Sequence, residues 1–306
     1  MFNSKEVTAI HLAEDPKSYL PAAFGAGTQP PAVNADDPAW GVVSALFVWI
    51  ASMVLIVVMP LLFLLPYASS KGLHTGDPNY IKALAELALS DKTAVLLQVV
   101  ALLPSHLATL VLIWAVVTRF GKKPFWRTIG WSWSGQLEIW LWVGLGVGLF
   151  IVGSTLAWAL GSAKPTQLEQ IINSSLAARY TISLLAVGTA PFVEEFMYRG
   201  VLYAPLQKLA GGPTAVCLVL ALFTIIHVPQ YWPNVGVIAA VALLSIALTL
   251  VRAYTHRLLP CIIIHLVFNG IQAVLLIVEP YAQKILPGSD PANPTFILLP
   301  LIHFIR

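Results

Sequence analysis

Two adjacent carboxylates and an arginine, Glu194, Glu195 and Arg199, lie inside an otherwise apolar, helix-length stretch from Ala190 to Gly200. A charge at the centre of a bilayer costs roughly 2.5–3.5 kcal/mol on insertion scales, so such groups face a protein interior or a water-filled cavity. In α geometry Glu195 and Arg199 sit one turn apart on one face and can neutralise each other, whereas Glu194 points about 100° away. Glu194 is then the carboxylate left for chemistry. Two further apolar stretches carry His227 and the pair His265 and Asn269, which are four residues apart and share a helix face. A carboxylate and an imidazole flanking a water can act as its general base, while a second imidazole and an amide can donate to a developing oxyanion. That is acyl hydrolysis without a covalent nucleophile.

Other chemistries are open at this level. Neither G-x-S-x-G nor H-E-x-x-H occurs in the chain. Cys261 falls one turn before His265, so a Cys–His pair is geometrically available, although a cysteine in an apolar helix ordinarily serves as a small buried hydrophobe. Glu194, His227 and His265 also make a zinc-like set of two imidazoles and a carboxylate, so the expectation of no cofactor carries zinc as its alternative. His106, beside Pro104 in another apolar stretch, reads as a histidine bonded to a neighbouring helix near a kink.

The elements that hold these residues follow from composition. With 306 residues, 58% hydrophobic and 10% charged, the chain is too apolar for a soluble domain and reads as an all-α membrane protein. Apolar runs at about 41–65, 93–117, 137–160, 181–209, 214–228, 235–251 and 258–278 predict a bundle of about seven spans, within a range of six to eight. Short interfacial helices are expected at 79–90, from its helical periodicity, and at 166–178. Gly144, Gly146, Gly148 and Gly153 suit close helix packing, and Gly144 with Gly148 would suit either an intramolecular contact or a dimer seam. The net charge of +3 is too small and dispersed for nucleic-acid binding. Arg119, Lys122, Lys123 and Arg127 form the densest basic cluster, which places that loop and the N-terminus in the cytoplasm. Counting depth at about 1.5 Å per residue brings Glu194 and His265 level but leaves His227 about 10 Å too far out.

The organisation expected is a cytoplasmic tail at 1–40, two spans with an interfacial helix and a basic loop at 41–136, a catalytic membrane core at 137–280 and an interfacial tail at 281–306. The tail's one apolar run, 296–305, is too short to cross the bilayer. The compact loops and the absence of a recognisable signal peptide suit a bacterial inner membrane.

Glu194-Glu195-x-x-x-Arg199, Phe223-x-x-x-His227 and His265-x-x-x-Asn269, in that order on successive apolar helices, resemble the motifs of the CPBP group of intramembrane proteases. This group comprises CAAX-prenyl-endopeptidase-like proteins together with bacteriocin-processing and immunity proteins. The resemblance covers about residues 137–280. It implies a glutamate-dependent endopeptidase whose cavity opens toward the cytoplasm. Glu194, helped by His227, would activate water, His265 and Asn269 would bind the oxyanion, and Glu195 with Arg199 would shape the site or hold substrate backbone. Expected partners are a peptide or lipidated protein substrate and membrane lipids. Two alternatives accompany it: a non-catalytic peptide-binding or bacteriocin immunity protein, and a metal-dependent form of the same protease. A proton-coupled transporter would need two similar halves, and no internal repeat is visible.

Overall fold

The computed structural model describes residues 37–132 and 136–285, with the backbone alone for 136, 137 and 283–285. Residues 1–36 of the expected tail at 1–40, and 286–306 of the expected tail at 281–306 with its apolar run 296–305, lie outside the described residues. Among those described there is no strand.

In chain order the helices are α1 (Val42–Ser70), α2 (Tyr80–Ser90), α3 (Lys92–Val100), α4 (Leu102–Thr118), α5 (Phe125–Thr128), α6 (Gln136–Ala159), α7 (Gln167–Ser174), α8 (Leu176–Gly188) and α9 (Ala190–Glu195). A π-helical segment, Phe196–Leu202, then leads into α10 (Tyr203–Ala210), α11 (Gly212–Tyr231), α12 (Val235–Thr255) and α13 (Leu259–Ile285). Six helices are long and apolar enough to cross a membrane, with α3 and α4 counted together, and the α8–α10 run, bent by 40°, makes a seventh. The protein is thus an all-helical, polytopic bundle, and the surface-helix periodicity at 79–90 becomes α2.

Where the chain departs from unbroken spans, the residues give the reason. Proline has no N–H, and its ring clashes with the carbonyl four residues earlier. Pro104 therefore breaks its span one turn upstream, at Ala101 between α3 and α4. The amphipathic stretch expected at 166–178 splits in two. Thr166 and Glu169 form a capping box that starts α7, and the extended Ser175 accepts from the Ala178 N–H and starts α8. The fourth span accordingly begins at Leu176 rather than near 181. Instead of lying alone along the membrane, α7 packs on α3, α8 and α11, with Glu169 and Ile172 buried.

The core is built by α6 against α12 and α13, α11 against α12, and α1 against α3 and α4. Glycine sets the closest approach on α6: a methyl group on Gly146 would come 2.8 Å from the Val267 Cβ of α13. One on Gly153 would meet Ala240 of α12 at 3.2 Å. Gly144 and Gly148 face open space, so the intramolecular contact offered for that pair is instead made by the face carrying 146 and 153. Arg179 of α8 joins the far ends of three helices, donating to Glu279 of α13 at 2.8 Å and to Asn173 of α7 at 2.7 Å.

Candidate active site

The motif helix is not a continuous α-helix. Pro191 leaves the Val187 carbonyl without its helical donor, and Thr189, at φ −131° and ψ −41°, separates α8 from α9. Directly after Glu195 the chain enters the π segment, a widened turn frequent at functional sites. Every residue from Phe196 to Leu202 is buried. Three donors hold the segment: Trp40 Nε1 to the Val201 carbonyl at 3.0 Å, Trp49 Nε1 to the Tyr198 hydroxyl at 3.0 Å, and Arg252 Nε to the Arg199 carbonyl at 3.2 Å.

The two glutamates part company at this junction. Glu195 and Arg199 are fully buried, and Arg199 Nη1 donates to Glu195 Oε1 at 3.0 Å. The rest of the guanidinium is satisfied by α12, with Nε donating to Thr249 Oγ1 at 3.2 Å and Nη2 to the Ser245 carbonyl and hydroxyl at 2.8 and 3.0 Å. The same Glu195 oxygen lies 2.7 Å from His265 Nδ1. A carboxylate accepts, so Nδ1 carries the proton and Nε2 is turned toward Glu194, whose Oε2 is 3.7 Å away. Glu194, with its side chain 25% exposed, faces a cavity of about 420 Å³.

Glu194, His227, His265 and Asn269 all line that cavity. The depth mismatch expected for His227 does not separate it from the others: it lines the same cavity, one turn before the end of α11 at Tyr231. His227 Nδ1 is 2.6 Å from the Phe223 carbonyl, which can only accept, so Nε2 is the nitrogen left with a lone pair. Phe223 stands between the two imidazoles, its ring 4.5 Å from that of His227 and 6.4 Å from that of His265. The Arg199 guanidinium lies 4.9 Å from the same ring. Asn269 Nδ2 donates to the Ala186 carbonyl of α8 at 2.9 Å, leaving its second N–H for another acceptor. Cys261 is buried outside the cavity lining, with its thiol donating to the Leu248 carbonyl at 3.3 Å, which removes the geometric basis of a Cys–His pair.

Among the described residues, no three His, Cys, Asp or Glu side chains are placed to hold a metal ion. The set Glu194, His227 and His265 therefore does not fit a zinc centre in this arrangement, and no step below runs through a metal.

The support of the site was legible in part. The bond from His106 to a neighbouring helix, expected from its place beside Pro104, is made to Thr189 Oγ1, 2.7 Å from its Nδ1, and His106 also lines the cavity. The Arg199 side was missed, although Ser245, Thr249 and Arg252, small polar or charged groups at helical spacing on α12, carried a signal for it.

The cavity's exposed lining residues, Gln167 and Gln230, are at the end where α7 packs. Arg119, Lys122, Lys123, Arg127, Arg252 and Arg257 are at the other end, and none of them lines the cavity. Basic loops in the cytoplasm and a cavity opening to the cytoplasm are therefore incompatible expectations: one of the two gives way.

Fold and site together define a polytopic helical membrane protein with a partly buried carboxylate–imidazole centre. Residues 175–271, just under a third of the chain, match the model of the Rce1-like family, described as type II CAAX prenyl endopeptidase Rce1-like. The match contains all three motifs and accords with a CPBP-family protease, a family of membrane-embedded peptidases. No curated protein and no solved structure matches the chain.

Proposed function

We propose that the protein is an intramembrane endopeptidase that hydrolyses peptide bonds with a water activated by Glu194 and His227. The observation that carries this reading is the convergence of Glu194, His227, His265 and Asn269, from three separate spans, on one cavity, while Glu195 is withdrawn into an ion pair. Glu194 takes a proton from the water, and the Nε2 lone pair of His227 accepts a hydrogen bond from it. The oxygen adds to the scissile carbonyl carbon. Charge developing on the carbonyl oxygen is met by His265, which donates from Nε2 when protonated, and by the second N–H of Asn269. Collapse of the tetrahedral intermediate expels the amine, which receives the proton held by Glu194.

Glu195 acts one step removed, since it orients His265 through Nδ1 much as a buried carboxylate orients the histidine of a serine protease. The substrate is a peptide or lipidated protein segment at the membrane, processed as a CAAX-type terminus or as a leader peptide, and the setting is a bacterial inner membrane.

The test is peptide cleavage by the detergent-purified protein beside Glu194→Gln, with prenylated and plain peptides, before and after chelation. Cleavage lost in Glu194→Gln and indifferent to chelator is expected. Loss on chelation with recovery on adding zinc would replace the mechanism by a metal-dependent one. Biological activity that survives intact in Glu194→Gln would favour a peptide-binding or immunity protein.

A further inference from the structure

We propose that His106 is a positioning residue for this site, fixing Glu194 through its hydrogen bond to Thr189 at the break between α8 and α9. The inference rests on the hydrolytic reading above, but its residue comes from α4, outside the matched segment 175–271. His106 Nδ1 lies 2.7 Å from Thr189 Oγ1. The Thr189 hydroxyl is also directed at the Leu185 carbonyl, 3.4 Å away, and a carbonyl only accepts. The threonine proton is thereby committed, so His106 donates from Nδ1.

The break needs such a partner. The chain at Thr189 is off helical geometry, and Pro191 supplies no N–H to restore it. Asn269 of α13 covers the Ala186 carbonyl from one side at 2.9 Å, and His106 of α4 holds Thr189 from another. Glu194 follows five residues later, about 7.5 Å along a helix axis. A tilt of about 10° at the break would shift it by about 1.3 Å, and a misplacement of about 1 Å can cost about 10²-fold in rate. A turn held from two neighbouring spans thus sets the carboxylate against His265.

The experiment compares full-length, detergent-purified His106→Ala, His106→Asn, Thr189→Val and the double variant His106→Ala/Thr189→Val with wild type and Glu194→Gln. It reads kcat and KM for peptide cleavage, the pH profile, and amide exchange over 185–195. We expect about 10²-fold loss of kcat with little change in KM in both His106→Ala and Thr189→Val. The double variant should be little worse than Thr189→Val alone, because the His106–Thr189 hydrogen bond is already lost in each single variant and the long Thr189–Leu185 contact goes with the threonine. His106→Asn, whose amide keeps an N–H near the position of Nδ1, should retain most of the activity with the wild-type pH profile. Both single variants should exchange faster over 186–193. Additive losses, an asparagine variant as impaired as the alanine one, or full activity in both single variants would overturn the proposal. If wild type itself cleaves no peptide, the hydrolytic reading fails separately, and unchanged exchange over 186–193 in His106→Ala would overturn the clamp.

Discussion

Arg199→Ala should unfold the protein far more readily than any change at the neighbouring Glu194. The substitution removes the guanidinium's hydrogen bonds to Glu195, Thr249 and Ser245, all within a fully buried cluster. Glu195 is left as a buried carboxylate bonded only to His265. Breaking a buried ion pair by deleting one partner costs about 3–5 kcal/mol. Folded domains are stable by only about 5–15 kcal/mol, so that loss takes a large share of the total. Arg199→Lys should fall between, since an ammonium cannot reach Glu195 and both α12 acceptors at once. Glu194 faces the cavity and meets this network only through the 3.7 Å contact with His265. Glu194→Gln, which keeps the shape of the side chain, should therefore cost far less stability than Arg199→Ala, about 0.5–1 kcal/mol, while lowering hydrolysis by about 10²–10⁴-fold, the usual contribution of a general base. The assay is denaturant or thermal unfolding of the detergent-purified protein followed by tryptophan fluorescence, run beside peptide cleavage. An Arg199→Ala variant within about 1 kcal/mol of wild type would refute the assignment of Glu195 and Arg199 as the buried support of the site.

Three further outcomes follow from other parts of the molecule. A methyl on Gly236 would lie 2.3 Å from the Leu156 carbonyl oxygen, so Gly236→Val should force α12 off α6 and cost about 1–3 kcal/mol in the same unfolding assay. In a Cys217→Ser background, Lys122→Cys and Gln167→Cys should react with an impermeant thiol reagent from opposite faces of the membrane. The basic-loop bias predicts that only Gln167→Cys labels in intact cells, and labelling of both from one face would refute the placement of cavity mouth and basic loops at opposite ends. The Asp91 carboxylate, which caps α3, is held below the usual carboxylate range chiefly by the Ala94 N–H, with help from Tyr67 and the Thr93 N–H. Its contribution is full above the unfolded pKa and is lost as pH falls through the lowered folded value. Amide protection at Thr93 and Ala94 should therefore drop on acidification in wild type and already be low at neutral pH in Asp91→Ala.

Much of this arrangement was legible because a bilayer restricts what a sequence can do. An uninterrupted apolar run has to be a helix, and a charge within it has to face inward, so the spans and the motif residues Glu194, His227 and His265 could be read directly. Local chemistry gave part of the rest: the periodicity at 79–90 returned as α2, whereas the extended Ser175, which caps α8, divided a stretch read as one helix. Details that depend on neighbours were hidden. The π segment has no signature of its own, since it is held by Trp40, Trp49 and Arg252 from distant parts of the chain. His227 was placed too far out because a count of about 1.5 Å per residue from the inner end of a span takes no account of where α11 starts relative to its neighbours or how it tilts; Pro229, read as the end of that span, lies inside α11. Gly144 and Gly146 are equivalent by composition, and only the position of α13 decides which one must lack a side chain.

The pairing of adjacent glutamates acquires a physical rationale from this geometry. Two carboxylates side by side in a membrane helix would repel each other and would both be costly to desolvate. Here one of them is neutralised: Glu195 is enclosed with Arg199, and the same oxygen that accepts from Arg199 also orients His265. The helix then widens into the π turn immediately after it, while the break before α9 directs Glu194 the other way, onto the cavity. The buried member fixes the imidazole and the open member faces water, so each carboxylate occupies an environment suited to a different task. The support for both comes from α4, α12 and α13 as well as from the motif helix. For that reason a variant in any of these helices that loosens the break at Thr189 or the Arg199 cluster should impair hydrolysis without touching a residue that contacts substrate.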